Sequence, residues 1–488
     1  MLLSAVSDGP IVALQVEWRP AGAAIDVRLA TAVSGRDETC TTRQQATPAT
    51  AAALTLSLFR SLWRQTLDQA RLLPQEVGGL ALAAPLDWFV RWDETGTPLG
   101  EIDRQPPGPV SALVLDDEGR FGPSAPVATH WGTALGWLLA VLSRSEGVME
   151  AASLSALGLY DAEWGGARPE TASGLPSAFR PNLGLLLRTS RSVTDAAVPV
   201  VVAVGDVAAL LAYGDEPLAA DRLLLTMEDE LQLSLLQADQ ASGPTPMAMK
   251  RSASWSVRLA WQEAQRRTWL LRSAPLPLAA SDSWFLRVFL GEEDELQGRL
   301  RWEELARRAY ATRCHASARP APASTARGQS STAPNRAPFL AGSAAPAPLL
   351  PTLRLDGDNW VLTGLSSRTS RADLALAWLD APVQAVAAEL ATLATQPWTS
   401  AAALTPPQSG GDQGRRPLPL QVAGYNSVSD LRLQRLADLS GREVRRGSPG
   451  WPTLQGLLRL GRLALHGVDL PVSGYPVSRF LPHAGKQN

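Results

Sequence analysis

The 488-residue sequence contains little cysteine and little histidine. Its two cysteines, Cys40 and Cys314, lie far apart and form no CxxC pattern. We therefore expect reduced thiols, with neither a disulfide framework nor a zinc or other metal site. The four histidines are dispersed, and each is expected to be a surface residue rather than a ligand: His130, His315, His466 and His483.

Strong net charge and long hydrophobic runs are also missing. The formal charge is −2, and lysine occurs only at Lys250 and Lys486, so neither a nucleic acid nor an anionic membrane is expected as a partner. The longest apolar stretch, Val198–Tyr213, contains Gly205 and Asp206 and is too short to span a bilayer. The first residues lack the basic and apolar regions of a signal peptide. These observations predict a soluble, cytoplasmic protein.

The common short motifs of nucleotide and metal enzymes are absent as well. The chain has no GxxxxGK[ST], no GxGxxG after a strand and no HExxH. Sixteen tryptophans are scattered at core-like positions, which favours a packing role, with a carbohydrate-stacking platform as the alternative.

What is present is the periodicity of an α/β protein. Alternation over 12–18 and 25–29 around a Pro/Gly turn predicts a hairpin, and a leucine stripe over 54–67 predicts a helix. Short apolar runs at 80–83 and 198–204 predict buried strands. The length and this repetition predict two related domains.

The second half continues the pattern with further elements. Strands are predicted at 223–226 and 268–271, and helices at 254–266, from 281 onward, at 429–440 and at 453–466. The segment 315–351 is rich in Ala, Pro, Ser and Thr, which predicts a disordered insertion, and 405–417 predicts a second loop.

Four segments carry a distinctive spacing of glycine, proline and acidic residues. In chain order they are Pro199–Val201 with Gly205-Asp206 and Gly214; Phe339–Gly342 with Pro346; Gly364-Leu365 with Thr369–Leu374; and Val422–Ser427 with Gln434, Ala437-Asp438, Gly441 and Val444. In this order they resemble the motifs of the FGGY carbohydrate kinases, closest to gluconokinase-like and xylulokinase-like members. The resemblance implies two actin-like ATPase (ribonuclease H-like) domains flanking a central cleft. We expect a shortened sugar-side domain at 1–220 and a nucleotide-side domain at 221–488.

The resemblance also implies an activity, which is ATP-dependent, Mg²⁺-assisted phosphorylation of a hydroxyl on a sugar, polyol or sugar acid. Asp206 matches the family's general base. The alternative for Asp206 is an aspartate that caps the next helix. The positions that match nucleotide-binding motifs are Gly9, Gly424, Ser427 and Gly456, although Gly456 is also explained by helix packing.

The phosphate-binding motifs of the family are poorly kept. The first, "DxGT", is best matched by Ser7–Pro10, which lacks the aspartate and has proline in place of threonine. The second, "TxGTS", aligns with Thr226–Glu230, where three carboxylates replace Gly-Thr-Ser. Two like charges about 4 Å apart repel by roughly 4 kcal/mol at an effective dielectric of about 20. A solvated acidic turn and a metal-binding cluster are both open interpretations of these residues.

Other chemical positions of the family are replaced in the same way. Ala83–Pro85 stands for "SGQ", Gly342–Pro346 has lost a charged pair, and Leu376, Asp380 and Ala381 stand for Arg, Glu and Gly. Tyr425 and Asn426 replace two of the three adenosine-binding glycines.

Three hypotheses about function follow. The leading one is a carbohydrate-kinase-like protein with impaired or absent phosphotransfer, acting as a sensor or interaction partner. The second is an active kinase with a remodelled nucleotide site, using ATP and Mg²⁺. The third is a structural or assembly protein that uses 315–351 for docking. A small sugar or sugar acid is the expected ligand, and a homodimer is possible by the resemblance.

Overall fold

The computed structural model describes most of the chain. The described residues are 9–104 (without 37), 130–143, 148–149, 151–157, 160–161, 166–167, 180–181, 198–238 (without 199, 215, 219 and 229), 255–277 (without 264–265), 285, 295–318, 351–394 (without 357–358), 417–447 and 452–483 (without 468 and 470–476). Apart from Phe285, which is helical, and Pro417, the predicted helix from 281 and the loop 405–417 lie outside these ranges, as does most of the insertion 315–351.

The described chain alternates strands and helices. The strands are β1 (Ile11–Ala21), β2 (Ala24–Val33), β3 (Thr39–Ala46), β4 (Gly79–Ala84), β5 (Trp88–Trp92), β6 (Asp103–Arg104), β7 (His130–Thr133), β8 (Val148–Met149), β9 (Tyr160–Asp161), β10 (Gly166–Ala167), β11 (Arg180–Pro181), β12 (Val200–Gly205), β13 (Arg222–Met227), β14 (Glu230–Ala238), β15 (Trp255–Glu263), β16 (Arg266–Ser273), β17 (Leu276–Pro277), β18 (Thr352–Asp356), β19 (Asn359–Thr363), β20 (Leu420–Ala423), β21 (Val444–Arg446) and β22 (Ser478–Phe480). The helices are α1 (Ala51–Ala70), α2 (Ala134–Ser143), α3 (Ala151–Ala156), α4 (Asp206–Ala212), α5 (Glu295–Ala318), α6 (Arg371–Ala394), α7 (Asp430–Ser440) and α8 (Pro452–His466).

The chain divides into two compact units, each built from several segments. The first unit contains Met1–Leu224, Ser234–Ala274 and Arg446–Ser478, and the second contains Leu225–Leu233, Pro275–Arg445 and Arg479–Asn488. A single boundary at residue 220 therefore describes only part of the division, because two later segments return to the first unit.

The first unit is built on a five-stranded sheet with the order β12-β4-β1-β2-β3. β1 is antiparallel to β2, from Val12 opposite Val33 to Ala21 opposite Ala24, and parallel to β4, as is β12. The predicted hairpin, the leucine-striped helix α1 and the strands at 80–83 and 198–204 are all present. Along β1 the apolar side chains alternate, so that Val12, Leu14 and Val16 join the same core as α1.

Helix α8 covers the opposite face of this sheet. The Cα of Gly461 lies so close that an added Cβ would be 3.0 Å from Ile11 and 3.5 Å from Ala81. Arg459 on the same helix is fully buried, and its guanidinium binds Asp469 and the carbonyl oxygens of Ala212, Gly214 and Glu216. Arg459 and Asp469, which lie near the end of the chain, thus hold the turn that follows α4 in place.

The predicted helix at 254–266 is wrong, because Trp255–Glu263 is the strand β15. It pairs antiparallel with β16 from Trp255 opposite Ser273 to Glu263 opposite Arg266. The register shifts between Leu259 and Trp261, which is typical of a β-bulge. The bulge breaks the strict alternation and gives buried side chains a spacing that resembles a helix.

His130 also departs from prediction. It is buried in β7 and its ring stacks on Trp92, the residue opposite it on β5, with 5.9 Å between ring centroids. His466 and His483 are exposed, as expected. The tryptophans of the first unit whose side chains are described, such as Trp18, Trp63 and Trp137, are buried as core residues.

The second unit contains strands of a second sheet and the helices α5, α6 and α7. In this sheet β17 pairs with the start of β14. The neighbouring strands then follow in the order β14, β13, β20 and β21. α5 and α6 share a core centred on Phe285, Trp302 and Trp378. α5 continues to Ala318, so the helix extends into the segment predicted to be disordered from His315.

Helix α6 is a core helix of the second unit. Within the described part of the chain it is the one helix long and apolar enough to cross a membrane, and most of it is buried in the protein. It runs through Pro382, which has no N–H to bond the preceding turn. The predicted helix at 429–440 is confirmed as α7, with Ser429 as N-cap and Gly441 as a left-handed C-cap at φ 65°.

Candidate functional site

Asp206 lies at the C-terminal edge of the parallel strands of the first unit. Gly205 pairs with Ala84, and Val204 and Gln15 both pair with Ala83 on the central strand β4. The carboxyl ends of parallel strands meet at one edge of a sheet, where ligands of open α/β sheets usually bind. Asp206 begins α4 at this edge.

The carboxyl group of Asp206 is hydrogen-bonded to the backbone at the start of α4. Its Oδ1 accepts a hydrogen bond from the N–H of Val207 at 2.8 Å, so it also serves the start of α4. It is the first residue of the helix, while Gly205 is the N-cap. The sequence offered a helix-capping aspartate as the alternative interpretation. Asp206 does bond to the backbone of the first turn of α4, but the N-cap position itself is held by Gly205.

The surroundings of Asp206 raise the pKa of its carboxyl group. Although the side chain keeps some exposure to solvent, desolvation by the surrounding protein raises the pKa of Asp206 to about 6. The cation of Arg272 opposes this increase in pKa, and the carboxylates of Asp87 and Glu17 add to it. A carboxyl group with a pKa close to neutrality can accept a proton from an alcohol more readily than an ordinary aspartate.

Glu17 and Asp87 are residues of this edge that the sequence did not point out. Glu17 accepts a hydrogen bond from Nε2 of Gln15 at 2.5 Å and pairs with Arg19 at 2.9 Å. Asp87 pairs with Arg104 at 3.3 Å. The available signal was the alternation of Gln15 and Glu17, two polar residues on one face of an otherwise apolar strand.

Gln15 is a buried polar residue with a free acceptor. Its Oε1 is buried and has no hydrogen-bond partner among the residues that the structure describes. A buried acceptor of this kind requires an explanation in a folded protein. The neighbouring Ala83, Ala84 and Pro85, by contrast, offer no side-chain hydrogen-bonding group at the same edge.

The placement of Gly9 in a phosphate-binding hairpin is wrong. Gly9 and Pro10 lie directly before β1, where the carbonyl of Pro10 accepts from Gly78 and the N–H of Ile11 donates to Ser34. The described chain has its first hairpin turn between β1 and β2, at Gly22 with φ +66°. Gly9 is at the N-terminal edge of the parallel strands, and the four steps from Ile11 to Gln15 alone span about 13 Å. Ser7 and Asp8 lie outside the described residues.

Gly456 serves close helix packing. A Cβ at this position would lie 1.8 Å from the carbonyl oxygen of Ala209 on α4. The face of Gly456 is therefore filled by the backbone of α4. Of the two interpretations offered by the sequence, the geometry favours packing.

The second predicted phosphate motif does form a hairpin turn, between β13 and β14 in the second unit. The N–H of Glu228 donates to the carbonyl of Glu230 at 3.1 Å. The hydroxyl of Thr226 donates to the carbonyl of Gln232 at 3.2 Å, and Glu230 is exposed. Asp229 lies outside the described residues. The described part of the turn carries carboxylates and no glycine, so it does not fit a phosphate.

Across the described positions, no three His, Cys, Asp or Glu residues are grouped so that they could hold a metal ion. Because Asp229 lies outside those positions, the metal interpretation of this acidic turn stays a prediction.

The loop Gly424–Ser427 lies directly on this turn within the second unit. Gly424 has φ +104°, and a Cβ there would be 2.3 Å from the carbonyl oxygen of Met227. The hydroxyl of Ser427 donates to the carbonyl of Gly424 at 2.6 Å, so it is occupied inside the loop. The side chain of Asn426 donates through Nδ2 to the carbonyl of Glu228 at 2.6 Å. Both predicted nucleotide contacts, Gly424 and Ser427, therefore take part in a closed local structure.

Asp380, which replaces the family's glutamate on α6, has a structural partner on α7. Arg435 binds both of its carboxylate oxygens, at 2.7 Å and 2.8 Å. Despite the desolvation of its guanidinium, the hydrogen bond with Asp380 raises the pKa of Arg435 above its ordinary value. This pair ties two core helices together.

Comparison with solved structures defines the class of fold. No family model matches the chain, and no curated protein matches it. The chain is similar to xylulose kinase from Rhodospirillum rubrum, with a TM-score of 0.66 and 14% identity over 97% of this chain and 94% of that one. It is similar to Plasmodium falciparum glycerol kinase with ADP, at a TM-score of 0.62 and 9% identity over 94% and 91%. For gluconate kinase from Lactobacillus acidophilus the TM-score is 0.60, with 10% identity over 96% and 94%.

The fold is that of the carbohydrate kinases. The matched structures are FGGY-type sugar, polyol and sugar-acid kinases, so the predicted α/β fold with two actin-like domains is confirmed. At such low identity the similarity establishes the fold and leaves the chemistry to the residues described above.

Proposed function

We propose that this protein is a carbohydrate-kinase-like protein that binds a small polyhydroxylated ligand and has impaired or absent phosphotransfer. The observation that carries the proposal is the β13–β14 turn, where Glu228 and Glu230 stand at positions that match a phosphate-binding motif. Carboxylates repel a triphosphate, and the one hydroxyl aligned there, on Thr226, already donates to the backbone.

Retention of a small ligand is supported by the first unit. Asp206, Glu17 and the unfilled acceptor of Gln15 share the sheet edge at which such ligands bind in open α/β sheets. A hydroxyl donated by a ligand would satisfy the Gln15 oxygen. The matched proteins are named for xylulose, glycerol and gluconate, so these three compounds are the first probes. We infer a cytoplasmic location from the same fold.

The test is calorimetric titration of the folded full-length protein with ATP and Mg²⁺, repeated with a non-hydrolysable analogue. We expect no heat at millimolar nucleotide, and measurable binding of at least one of the three small compounds. Binding of nucleotide in the micromolar range would contradict the proposal. A Gln15→Leu variant should lose ligand binding, whereas Gln69→Leu, on the distant helix α1, should keep it.

An active kinase is the second candidate, and the raised pKa of Asp206 favours it. A carboxyl group with a pKa of about 6 suits a general base for a hydroxyl at neutral pH. In that case ATP and Mg²⁺ would be the co-substrates, and an Asp206→Asn variant would lose turnover while still binding the small ligand. Turnover of ATP by the wild-type protein with xylulose, glycerol or gluconate distinguishes the two candidates.

A further inference from the structure

Arg459 of α8 binds the C-terminal end of the short helix α4. Its Nη1 donates to the carbonyl oxygens of Ala212 and Gly214, at 3.2 Å and 2.7 Å, and its Nη2 donates to that of Glu216 at 2.6 Å. Asp469 accepts from the same guanidinium at 2.6 Å and 3.0 Å. Because the side chain of Arg459 is fully buried, these bonds are shielded from competing water.

Arg222 binds the backbone carbonyl oxygens that alternate with those of Arg459. Its Nη1 donates to Leu211 at 2.7 Å and to Tyr213 at 2.9 Å, and its Nη2 donates to the carbonyl of Glu216. This side chain is buried as well. The last carbonyls of a helix have no partner within the helix, and positive charge near them is favourable. Arg222 and Arg459 together form an arginine clamp on the end of α4.

Helix α4 depends on contacts of this kind, because it has only 7 residues. Helices shorter than about 12 residues are marginal in water without tertiary contacts. One contact is with α8 at Gly456, where an added Cβ would lie 1.8 Å from the carbonyl oxygen of Ala209. Asp206 is the first residue of α4, about 9 Å along the helix axis from Ala212. A shift of the last turn therefore moves Asp206 too.

We propose that Arg459 is a positioning residue for the candidate site: together with Arg222, it fixes α4 so that the carboxyl group of Asp206 stays at the C-terminal edge of the parallel strands. The inference rests on the proposed function, because Asp206 is one of the groups assigned there to a small ligand. Arg459 acts through the helix, since the hydrogen bonds described for it lie at the other end of α4.

The acidity of Asp206 reports whether α4 is in place. Desolvation by the surrounding protein raises the pKa of Asp206 to about 6. The charges that act on it are Arg272, which lowers the pKa, and Asp87 and Glu17, which raise it further. These three residues lie outside both α4 and the arginine clamp. If α4 loosens, water reaches the carboxyl group, and its pKa falls toward the ordinary value of 3.8.

The experiment compares the full-length wild-type protein with Arg459→Met and Arg459→Lys, and with Leu62→Ala as the matched control. Leu62 is buried in the core on the opposite face of the same sheet, so its truncation destabilises the same unit from the other side. The pKa of Asp206 is measured by ¹³C NMR of aspartate-labelled protein, and its signal is assigned by its absence from Asp206→Asn. Xylulose, glycerol and gluconate are titrated calorimetrically into the same samples.

In Arg459→Met we expect the pKa of Asp206 to fall by at least about one pH unit and the binding of the small compound to weaken at least about tenfold. Arg459→Lys keeps the charge but loses the planar fork of donors, so both effects should be smaller. Leu62→Ala should change neither quantity. A merely structural role for Arg459 predicts instead that the two destabilised variants behave alike.

The pKa measurement separates this inference from the proposed function. An unchanged pKa of Asp206 in folded Arg459→Met overturns the positioning role, as does an equal fall in Leu62→Ala. Binding that stays equally tight after the pKa has fallen also overturns it. If none of the three compounds binds to the wild-type protein, the proposed function fails, while NMR still decides about Arg459. If Arg459→Met does not fold, Arg459→Lys replaces it, and an unchanged pKa there contradicts the proposal.

Discussion

At the scale of single residues, Asp206 is expected to lower the stability of the folded protein at neutral pH. Its folded-state pKa of about 6 lies above the ordinary value of 3.8, so the folded protein prefers the protonated form. Well below pH 3.8 the side chain is protonated in both the folded and the unfolded state, so there is no penalty. The penalty grows as the pH rises from about 3.8 to about 6 and is constant above that range. At about 1.4 kcal/mol per pH unit, the increase in pKa corresponds to at most about 3 kcal/mol.

An Asp206→Asn variant should therefore be more stable than the wild-type protein at pH 7.5, by about 1 to 3 kcal/mol, and equal to it at about pH 3. Urea denaturation at the two pH values measures the difference. Asp93→Asn is a useful contrast, because hydrogen bonds from Thr95 and Thr97 hold the pKa of Asp93 below its ordinary value. The benefit of Asp93 is present at neutral pH and disappears as the pH falls. A stability gain for Asp206→Asn that did not depend on pH would contradict the assignment.

Of the residues around the candidate site, the sequence predicted some and could not predict others. Asp206 was found because it follows a buried strand within a spaced motif. Glu17 and Asp87 were missed, because only the register of β1 and β4 beside β12 brings them to the same edge. The two hydrogen bonds of the Asn426 side chain could not be predicted either, since the partners Glu228 and Arg299 are more than a hundred residues away in the chain.

At the scale of elements, two glycines of α8 provide a matched test of helix packing. A Cβ on Gly456 would overlap the carbonyl oxygen of Ala209 at 1.8 Å, whereas a Cβ on Gly461 would meet side-chain atoms of Ile11 at 3.0 Å and 3.3 Å. Backbone cannot move aside as a side chain can. We expect Gly456→Ala to lower the free energy of unfolding by about 3 kcal/mol, at the upper end of the usual range for overpacked cores.

Gly461→Ala should change the free energy of unfolding by less than about 1 kcal/mol, because the better helix propensity of alanine offsets the tighter contact. Urea denaturation of both variants is the measurement. Equal effects at the two positions would show that α8 shifts as a body, contrary to the packing described here.

Among the helices and strands, apolar periodicity predicted some correctly and failed for others. Regular patterns gave α1, α7, α8 and the central strands correctly, because the apolar spacing is regular there, and in α7 the caps Ser429 and Gly441 agree with it. β15 was read as a helix, since a bulge between Leu259 and Trp261 interrupts the alternation. The hairpin of β18 and β19 was not predicted; its strands have only five residues each.

At the scale of the whole molecule, the division into two units predicts two unfolding transitions in calorimetry. Each unit has its own core, and multi-domain proteins often depart from two-state unfolding. Gly456→Ala should lower one transition, and Asp380→Ala should lower the other by leaving Arg435 without its bidentate partner. Loss of one partner of a buried ion pair typically costs about 3 kcal/mol or more.

The expected result is that each variant moves a different transition by several degrees while the other stays in place. A shift of the same single transition by both variants would mean that the chain unfolds as one cooperative body. Strands β13 and β14, which pass from one unit to the other, are then the elements to mutate next.

The return of α8 to the first unit also has a consequence for biosynthesis. The carbonyl oxygens of Ala212 and Gly214 are synthesised long before their hydrogen-bond donor, Arg459, which the ribosome adds about 245 residues later. At roughly 5–20 residues per second this delay is on the order of 10–50 seconds. During that time the face of β1 and β4 that α8 finally covers is exposed on the nascent chain. The core on this face of the first sheet is therefore completed only after nearly the whole chain has been synthesised.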